Sequence, residues 1–243
     1  MSTILILGAT SDMAIALAEI YAKKGDKLQL AARNPSMLTP IKKDLEIRFG
    51  AQISTYIFDA MDFNSHEGFY NSLDTKPDIA LCVFGYLGDQ RKAIKDWDES
   101  KQIIQSNFTG AVSILNIIAN DMEDRKEGVI VGISSVAGER GRVSNYLYGS
   151  AKAGFTAYLS GLRNRLCKSG VHVLTVKPGF VNTKMTEGLP LPKPLTAQPE
   201  EVATAILKAI KKQKNTIYVF AKWRLIMYII KSIPEFIFKK LSL

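Results

Sequence analysis

Tyr148 and Lys152 stand four residues apart in the stretch Ile133-Ser-Ser-Val-Ala-Gly-Glu-Arg-Gly-Arg-Val-Ser-Asn-Tyr-Leu-Tyr-Gly-Ser-Ala-Lys152. On a helix that spacing puts both side chains on one face. An ammonium beside a phenol favours the phenolate and lowers the Tyr pKa, which makes the phenol a usable acid nearer neutral pH. Ser135 precedes Tyr148 by thirteen residues, at the end of an apolar run from Val129 to Ile133. From a strand end its hydroxyl can reach the same reacting oxygen. Ser134 beside it is read as structural.

A Tyr and a Lys at this spacing also occur at Tyr218 and Lys222, where nothing nearby points to chemistry. The elements around the first pair must therefore carry the argument. Val129–Ile133 reads as a buried strand and Asn145–Cys167 as the helix that bears Tyr148 and Lys152. Upstream, Ile4–Leu7 is a fully apolar run of the kind that forms a buried parallel strand. Asp12–Lys24 follows as a helix with Gly25 as its stop. Further strands are predicted at Lys27–Ala32, Ile53–Phe58, Asp78–Phe84 and Val171–Val176. Further helices are predicted at Pro35–Phe49 and Glu99–Met122. This alternation predicts right-handed crossovers and a parallel sheet covered on both faces.

Gly8-Ala-Thr10-Ser11-Asp12-Met13-Ala14 joins the first strand to the first helix. Backbone N–H groups at such a helix start bind a pyrophosphate, and small residues let it approach. The second strand ends in Arg33, which can pair with a 2′-phosphate, where an acid would favour unphosphorylated ribose.

With these motifs in order, the sequence resembles the short-chain dehydrogenase/reductase family from its start to about Val219. The resemblance implies a single doubly wound Rossmann-type α/β domain of about seven strands. It implies a catalytic set of Asn107, Ser135, Tyr148 and Lys152. Cofactor contacts are expected from Gly8, Thr10, Ser11, Asp12, Met13, Arg33, Asp59, Ala60, Gly85, Tyr148 and Lys152. Pro178, Gly179, Val181 and Thr183 are expected to pack against the nicotinamide and bind its carboxamide. NADP(H) is the expected cofactor and NAD(H) the alternative. Asn107, in the family's position for the catalytic Asn, is expected to hold a water that passes protons to Lys152. A substrate lid is expected over about 183–199, where Pro190, Pro192, Pro194 and Pro199 forbid one continuous helix. A homodimer or homotetramer, built through the helices around Asn107 and Tyr148, is expected by resemblance.

Two departures stand out. Asp12 and Ala14 occupy positions where the family has glycine, and an acid beside phosphates is unfavourable unless it points away. Cys82-Val83-Phe84-Gly85 replaces the family's Asn-Asn-Ala-Gly, so the support those asparagines give must come from elsewhere. They keep open a second class of reading, a catalytically silent NADP-binding sensor or scaffold.

The chain's 243 residues suffice for one large core. Cys82 and Cys167 lie in apolar patterns and are expected to be buried thiols in a reducing compartment. His66 and His172 are isolated, so no metal site is expected. The first apolar run is too short for a signal peptide and no run is long enough to span a membrane, which makes the cytoplasm the expected location.

The charge is uneven. Residues 208–243 carry nine Lys or Arg against Glu235 alone, while the remainder balances at +1. With a neutral domain, nucleic acid is not an expected partner. Trp223, Ile226, Met227 and Ile230 have helical spacing, and Phe236, Ile237, Phe238 and Leu241 add apolar surface. The segment 221–243 therefore has two readings. Residues 222–243 lie on the cytoplasmic face of a membrane, with a lipid-like or lipid-linked carbonyl or alcohol as substrate. Or the segment docks on the domain, 1–220, or on a subunit partner, and the enzyme is a soluble carbonyl reductase.

Overall fold

The computed structural model describes residues 1–241. The last two residues of the predicted C-terminal segment lie outside that range. In chain order the elements are β1 (Thr3–Leu7), α1 (Asp12–Lys23), β2 (Lys27–Ala32), α2 (Leu38–Phe49), β3 (Ile53–Ile57), α3 (His66–Asn71), β4 (Ile79–Cys82), α4 (Gln90–Ala93), α5 (Trp97–Ile104), α6 (Gly110–Arg125), β5 (Val129–Ile133), α7 (Tyr146–Leu166), β6 (His172–Lys177), β7 (Phe180–Val181), β8 (Thr196–Ala197), α8 (Pro199–Lys211), β9 (Thr216–Tyr218), α9 (Ala221–Ser232) and α10 (Glu235–Phe238). Seven strands form one sheet in the order β3-β2-β1-β4-β5-β6-β9. Every pairing in it is parallel.

Successive side chains along a strand point to opposite faces, and β1 shows what that requires here. Ile4 and Ile6 enter one core, with α1, α2 and α8, while Leu5 and Leu7 enter the other, with α3, α6 and α7. Both faces are buried, so the strand reads as an unbroken apolar run rather than an alternating one. The strand order reverses between β1 and β4. A crevice opens there at the carboxyl ends of the strands, and ligands of open α/β sheets bind in it.

Several elements differ from their sequence patterns. Pro35 starts a 3₁₀ turn over Pro35–Met37, with Asn34 Oδ1 accepting from the Ser36 amide, before α2 begins. The long helix pattern around Asn107 divides into α5 and α6 around a π turn at Gln105–Thr109. β4 ends at Cys82, two residues before the predicted Phe84. The predicted lid has no continuous helix: β8 returns to pair with β7, and short 3₁₀ turns occupy Lys184–Thr186 and Lys193–Leu195. Cys82 is buried as expected. Cys167 is exposed, a correction, because α7 ends at Leu166 and the chain turns outward there.

The C-terminal segment packs on the domain. Trp223 and Met227, one helical turn apart on α9, join Val136 in a third buried cluster. Phe180, Leu195 and Tyr218 pack around it. The face predicted from their spacing is thus covered by the chain's own surface. Leu225, Tyr228, Ile229, Phe236, Ile237 and Leu241 remain exposed. Among the described residues no helix is long and apolar enough to cross a membrane.

Candidate active site

The Gly8 turn leaves β1 with φ +83°, in the left-handed region glycine tolerates. A Cβ there would come within 2.7–2.8 Å of the Phe84 backbone and Cβ, so the chain after β4 passes directly over it. Ser11 caps α1, its Oγ accepting from the Ala14 amide at 3.2 Å. The Asp12 and Met13 amides, in the first turn, have no acceptor among the described residues. Such open donors at a helix N-terminus bind an anion. Asp12 turns away from them: its Oδ2 accepts from the Lys184 amide at 2.8 Å. The carboxylate that stands in a glycine position is bonded to the start of the predicted lid and not to the open amides.

These residues line a cleft of about 240 Å³ that runs past Arg33, Asp59, Ala60 and Gly85 to Thr183. Arg33 is exposed at its rim. Asp59 Oδ1 accepts from the Met61 amide. The loop carrying Asp59 is held by buried His66, whose Nε2 donates to the Asp59 carbonyl at 2.9 Å. Nδ1 is then the acceptor for the Ser113 hydroxyl.

A second cavity of about 370 Å³ adjoins the first, and both are lined by Met13, Val83, Phe84, Gly85, Thr183 and Met185. Ser135, Tyr148 and Lys152 line it together, as do Pro178, Gly179 and Val181. β5 delivers Ser135 just past its end, and α7 delivers the other two from its first turns. Lys152 Nζ lies 5.7 Å from the Tyr148 ring centroid and donates to the Ile133 carbonyl at 2.9 Å. Burial pushes this ammonium down to about 8.

Burial also pushes the Tyr148 phenol up, to about 12, and the Ser135 hydroxyl beside it acts in the opposite direction. This reverses the expected sign: desolvation of the phenolate exceeds the help of its neighbours. Ser135 Oγ accepts from the Ala137 amide at 3.1 Å. Ser134 is structural, its hydroxyl bonding to the Lys152 carbonyl and to Thr156.

Asn107 lies behind this wall and lines neither cavity. Its Nδ2 donates to the carbonyls of Tyr86 and Ile103, at 2.6 and 2.8 Å, and its Oδ1 accepts from the Tyr86 amide. It thus pins the loop after β4, where Cys82-Val83-Phe84 offers no polar side chain to do so. A Cβ on Gly85 would sit 2.9 Å from Asn107 Oδ1 and 3.5 Å from Lys152 Nζ, so a side chain would not fit there. The second Tyr–Lys pair is not a helical pair at all. Tyr218 lies on β9, its hydroxyl donating to Glu139, while Lys222 Nζ donates to the Pro194 carbonyl.

Among the lining residues of the second cavity that the sequence reading did not assign to a site are Trp223 and Arg142. Trp223 forms part of its wall and packs so closely on Gly179 that a Cβ there would lie 1.9–2.0 Å from the indole. Its Nε1 donates to the Leu195 carbonyl at 3.2 Å, tying α9 to the 3₁₀ turn at Lys193–Leu195. Arg142, in the loop before α7, also lines the cavity. Among the described residues no group of three or more His, Cys, Asp or Glu is placed to hold a metal ion.

Residues 2–193 match the model of the short chain dehydrogenase family. An uncharacterized oxidoreductase of Mycobacterium tuberculosis is 34% identical over 241 residues, covering 98% of this chain and 96% of that one. One from Streptomyces coelicolor is 32% identical over 243 residues, covering 98% and 95%. Among solved structures, a short-chain dehydrogenase from Sphingobium yanoikuyae in complex with NADPH has the same fold. Its TM-score is 0.83 at 22% identity, with 97% of each chain covered. The parallel sheet with its crevice, and these matches along nearly the whole chain, agree: the protein belongs to the short-chain dehydrogenase/reductase family of NAD(P)-dependent oxidoreductases, which act on alcohols and carbonyls.

Proposed function

We propose that the protein is an NADPH-dependent reductase of a ketone or aldehyde, with Ser135, Tyr148 and Lys152 at the reacting carbonyl. The observation that carries this reading is the meeting of the three in one cavity that adjoins the cleft at the start of α1. The nicotinamide cofactor supplies the hydride when bound. The open amides of Asp12 and Met13 suit its pyrophosphate, and Arg33 suits a 2′-phosphate. Asp59 and Ala60 lie toward the adenine end, while Pro178, Gly179, Val181 and Thr183 face the nicotinamide end.

Ser135 and Tyr148 hold the substrate oxygen by hydrogen bonds, and Tyr148 gives it a proton. A phenol pushed up to about 12 keeps its proton through the neutral range, which suits an acid in the reductive direction. Lys152 supplies positive charge beside the phenol. Asn107 acts through position, by holding the loop that carries Gly85 and Tyr86.

Titration with NADPH and NADH, followed by nucleotide fluorescence, tests the cofactor half. NADPH is expected to bind more tightly, and Arg33→Ala to remove most of that difference. Tyr148→Phe tests the chemical half: it is expected to bind NADPH normally and to reduce no carbonyl. Full turnover by that variant would refute the mechanism.

The exposed apolar residues of α9 and α10, flanked by Arg224, Lys231, Lys239 and Lys240, favour a second element of the proposal, contact with an anionic membrane surface. The substrate would then be lipid-like or lipid-linked. Truncating the segment is a poor test, since it would also remove Trp223 from the cavity. Replacing Leu225, Tyr228 and Ile229 by Ser leaves the buried face intact. That variant is expected to lose co-sedimentation with vesicles containing anionic lipid; equal sedimentation of both proteins would rule the contact out. A homodimer or homotetramer through α5, α6 and α7 completes the proposal, checked by light scattering.

A further inference from the structure

The second cavity holds a charge that the carbonyl chemistry does not use. Arg142 lines it from the loop between Ser135 and α7. Its Nε is buried and has no hydrogen-bond partner, and no ion pair involves it among the described residues. Among the described residues no Asp or Glu lines the cavity; the charged ones that do are Arg142 and Lys152, both cationic. Elsewhere in this chain, comparable arginines are matched: Arg125 pairs with Asp121, and Arg140 with Glu235. Burial alone holds the Arg142 guanidinium below its ordinary range, with no carboxylate opposing it.

A guanidinium stays charged in a protein, so half-burying one with its Nε enclosed and unpartnered is costly. The arrangement is favourable once a ligand supplies the missing anion. We propose that Arg142 anchors an anionic group, a carboxylate or a phosphate ester, on the carbonyl substrate. Asn145 Oδ1, in the same loop, is buried without a donor and suits a hydroxyl of the same ligand. The rest of the wall, including Leu87, Phe180, Leu189 and Trp223, is apolar and takes the carbon skeleton. Neutral ketones leave the Arg142 charge unanswered and are the poorer substrates.

This assignment rests on the carbonyl-reductase reading, and the test separates the two. The probes are straight-chain oxo acids differing in ketone position, each beside its methyl ester, and glycerone phosphate beside glycerone. Turnover is followed with NADPH. Binding is followed separately by quenching of tryptophan emission, since Trp223 lines the cavity.

At least one anionic probe is expected to exceed its neutral partner in kcat/KM. Arg142→Gln is expected to reduce that ratio by about tenfold or more, through KM. Arg142→Lys should restore part of it. Because the guanidinium has no partner to lose, Arg142→Gln should melt no lower than the parent, which excludes a merely structural effect. The pair that responds more strongly identifies the anion as carboxylate or phosphate. Arg142-dependent binding of an anionic probe without turnover would refute the reductase reading and leave the anion site standing. Equal binding of charged and neutral partners, or binding of no anionic probe, would overturn the anion site.

Discussion

Asp12 and Lys184 are 172 positions apart in the chain, and the carboxylate of the first accepts a hydrogen bond from the backbone amide of the second at 2.8 Å. The contact joins the first turn of α1, at the first cleft, to the start of the predicted lid. It also accounts for a carboxylate where the family has glycine. The acid is placed to act as a latch on the predicted lid.

Removing the latch should loosen the lid without touching the reacting groups. The bond is exposed, so its loss is worth about 1 kcal/mol, or about fivefold in an equilibrium. Asp12→Ala is expected to raise the substrate KM by about that factor. Faster proteolysis within residues 184–190 should accompany it. Asp12→Asn, which keeps an acceptor oxygen, should lie between. Unchanged KM and unchanged cleavage in Asp12→Ala would show that the lid is held by other contacts.

Lys152 makes the pH dependence specific. Its proton leaves as pH rises through about 8, whereas Tyr148, pushed up to about 12, stays protonated well beyond that. Reduction should therefore hold level below about pH 8 and fall above it, in kcat/KM measured at saturating cofactor. The stability linkage has the opposite sign. Between about 8 and the ordinary lysine value of 10.5, the unfolded chain binds the proton more than the folded one does. The contribution of Lys152 to stability therefore rises with pH across that window. Thermal melts of the parent and Lys152→Met should diverge in the parent's favour from pH 8 to 10. A rate that climbs through pH 9 would contradict the assignment.

Gly179 and Trp223 should behave as one unit. With the indole 1.9–2.0 Å from any Cβ at Gly179, Gly179→Ala must displace a packed ring rather than the tip of a flexible chain. Overpacking of this kind costs about 1–3 kcal/mol, which lowers Tm by roughly 2–4 °C per kcal/mol in a domain of this size. Trp223→Leu should be destabilising on its own but should relieve most of the Gly179→Ala penalty in the double variant. Simple additivity of the two losses in calorimetry would show that the residues do not share the space.

Much of this architecture is legible in the sequence, for a reason visible at β1. A strand buried on both faces is apolar at nearly every position, and Ile4–Leu7 is apolar throughout. Lys27–Ala32 and Val129–Ile133 coincide with their predicted bounds. β9 is legible only through resemblance: it is three residues long, at the sheet edge, and no residue in it is fully buried. The π turn at Asn107 has no composition of its own, so α5 and α6 read as one helix. Spacing shows that Trp223 and Met227 share a face, but not which surface covers it. Arg142 is invisible for another reason. Its interest lies in the absence of an acid around it, which is a property of Leu87, Phe180 and Trp223 rather than of its own neighbours in the chain.

Arg140 donates to the carbonyls of Ile230, Lys231 and Ile233 at the end of α9, and its guanidinium lies 3.7 Å over the Phe238 ring. It sits in the loop between Ser135 and Tyr148, so the reacting groups and the C-terminal helices share one fastening. During synthesis, domains fold as their residues emerge, N-terminal parts first. Here β1 to β6 and Ser135, Tyr148 and Lys152 leave the ribosome well before Trp223 and the carbonyls that Arg140 holds, and β9 only just before them. Of the residues that line the second cavity, Trp223 is the last to be made. A chain that stops before α9 carries Ser135, Tyr148 and Lys152 without the indole that closes this part of their cavity.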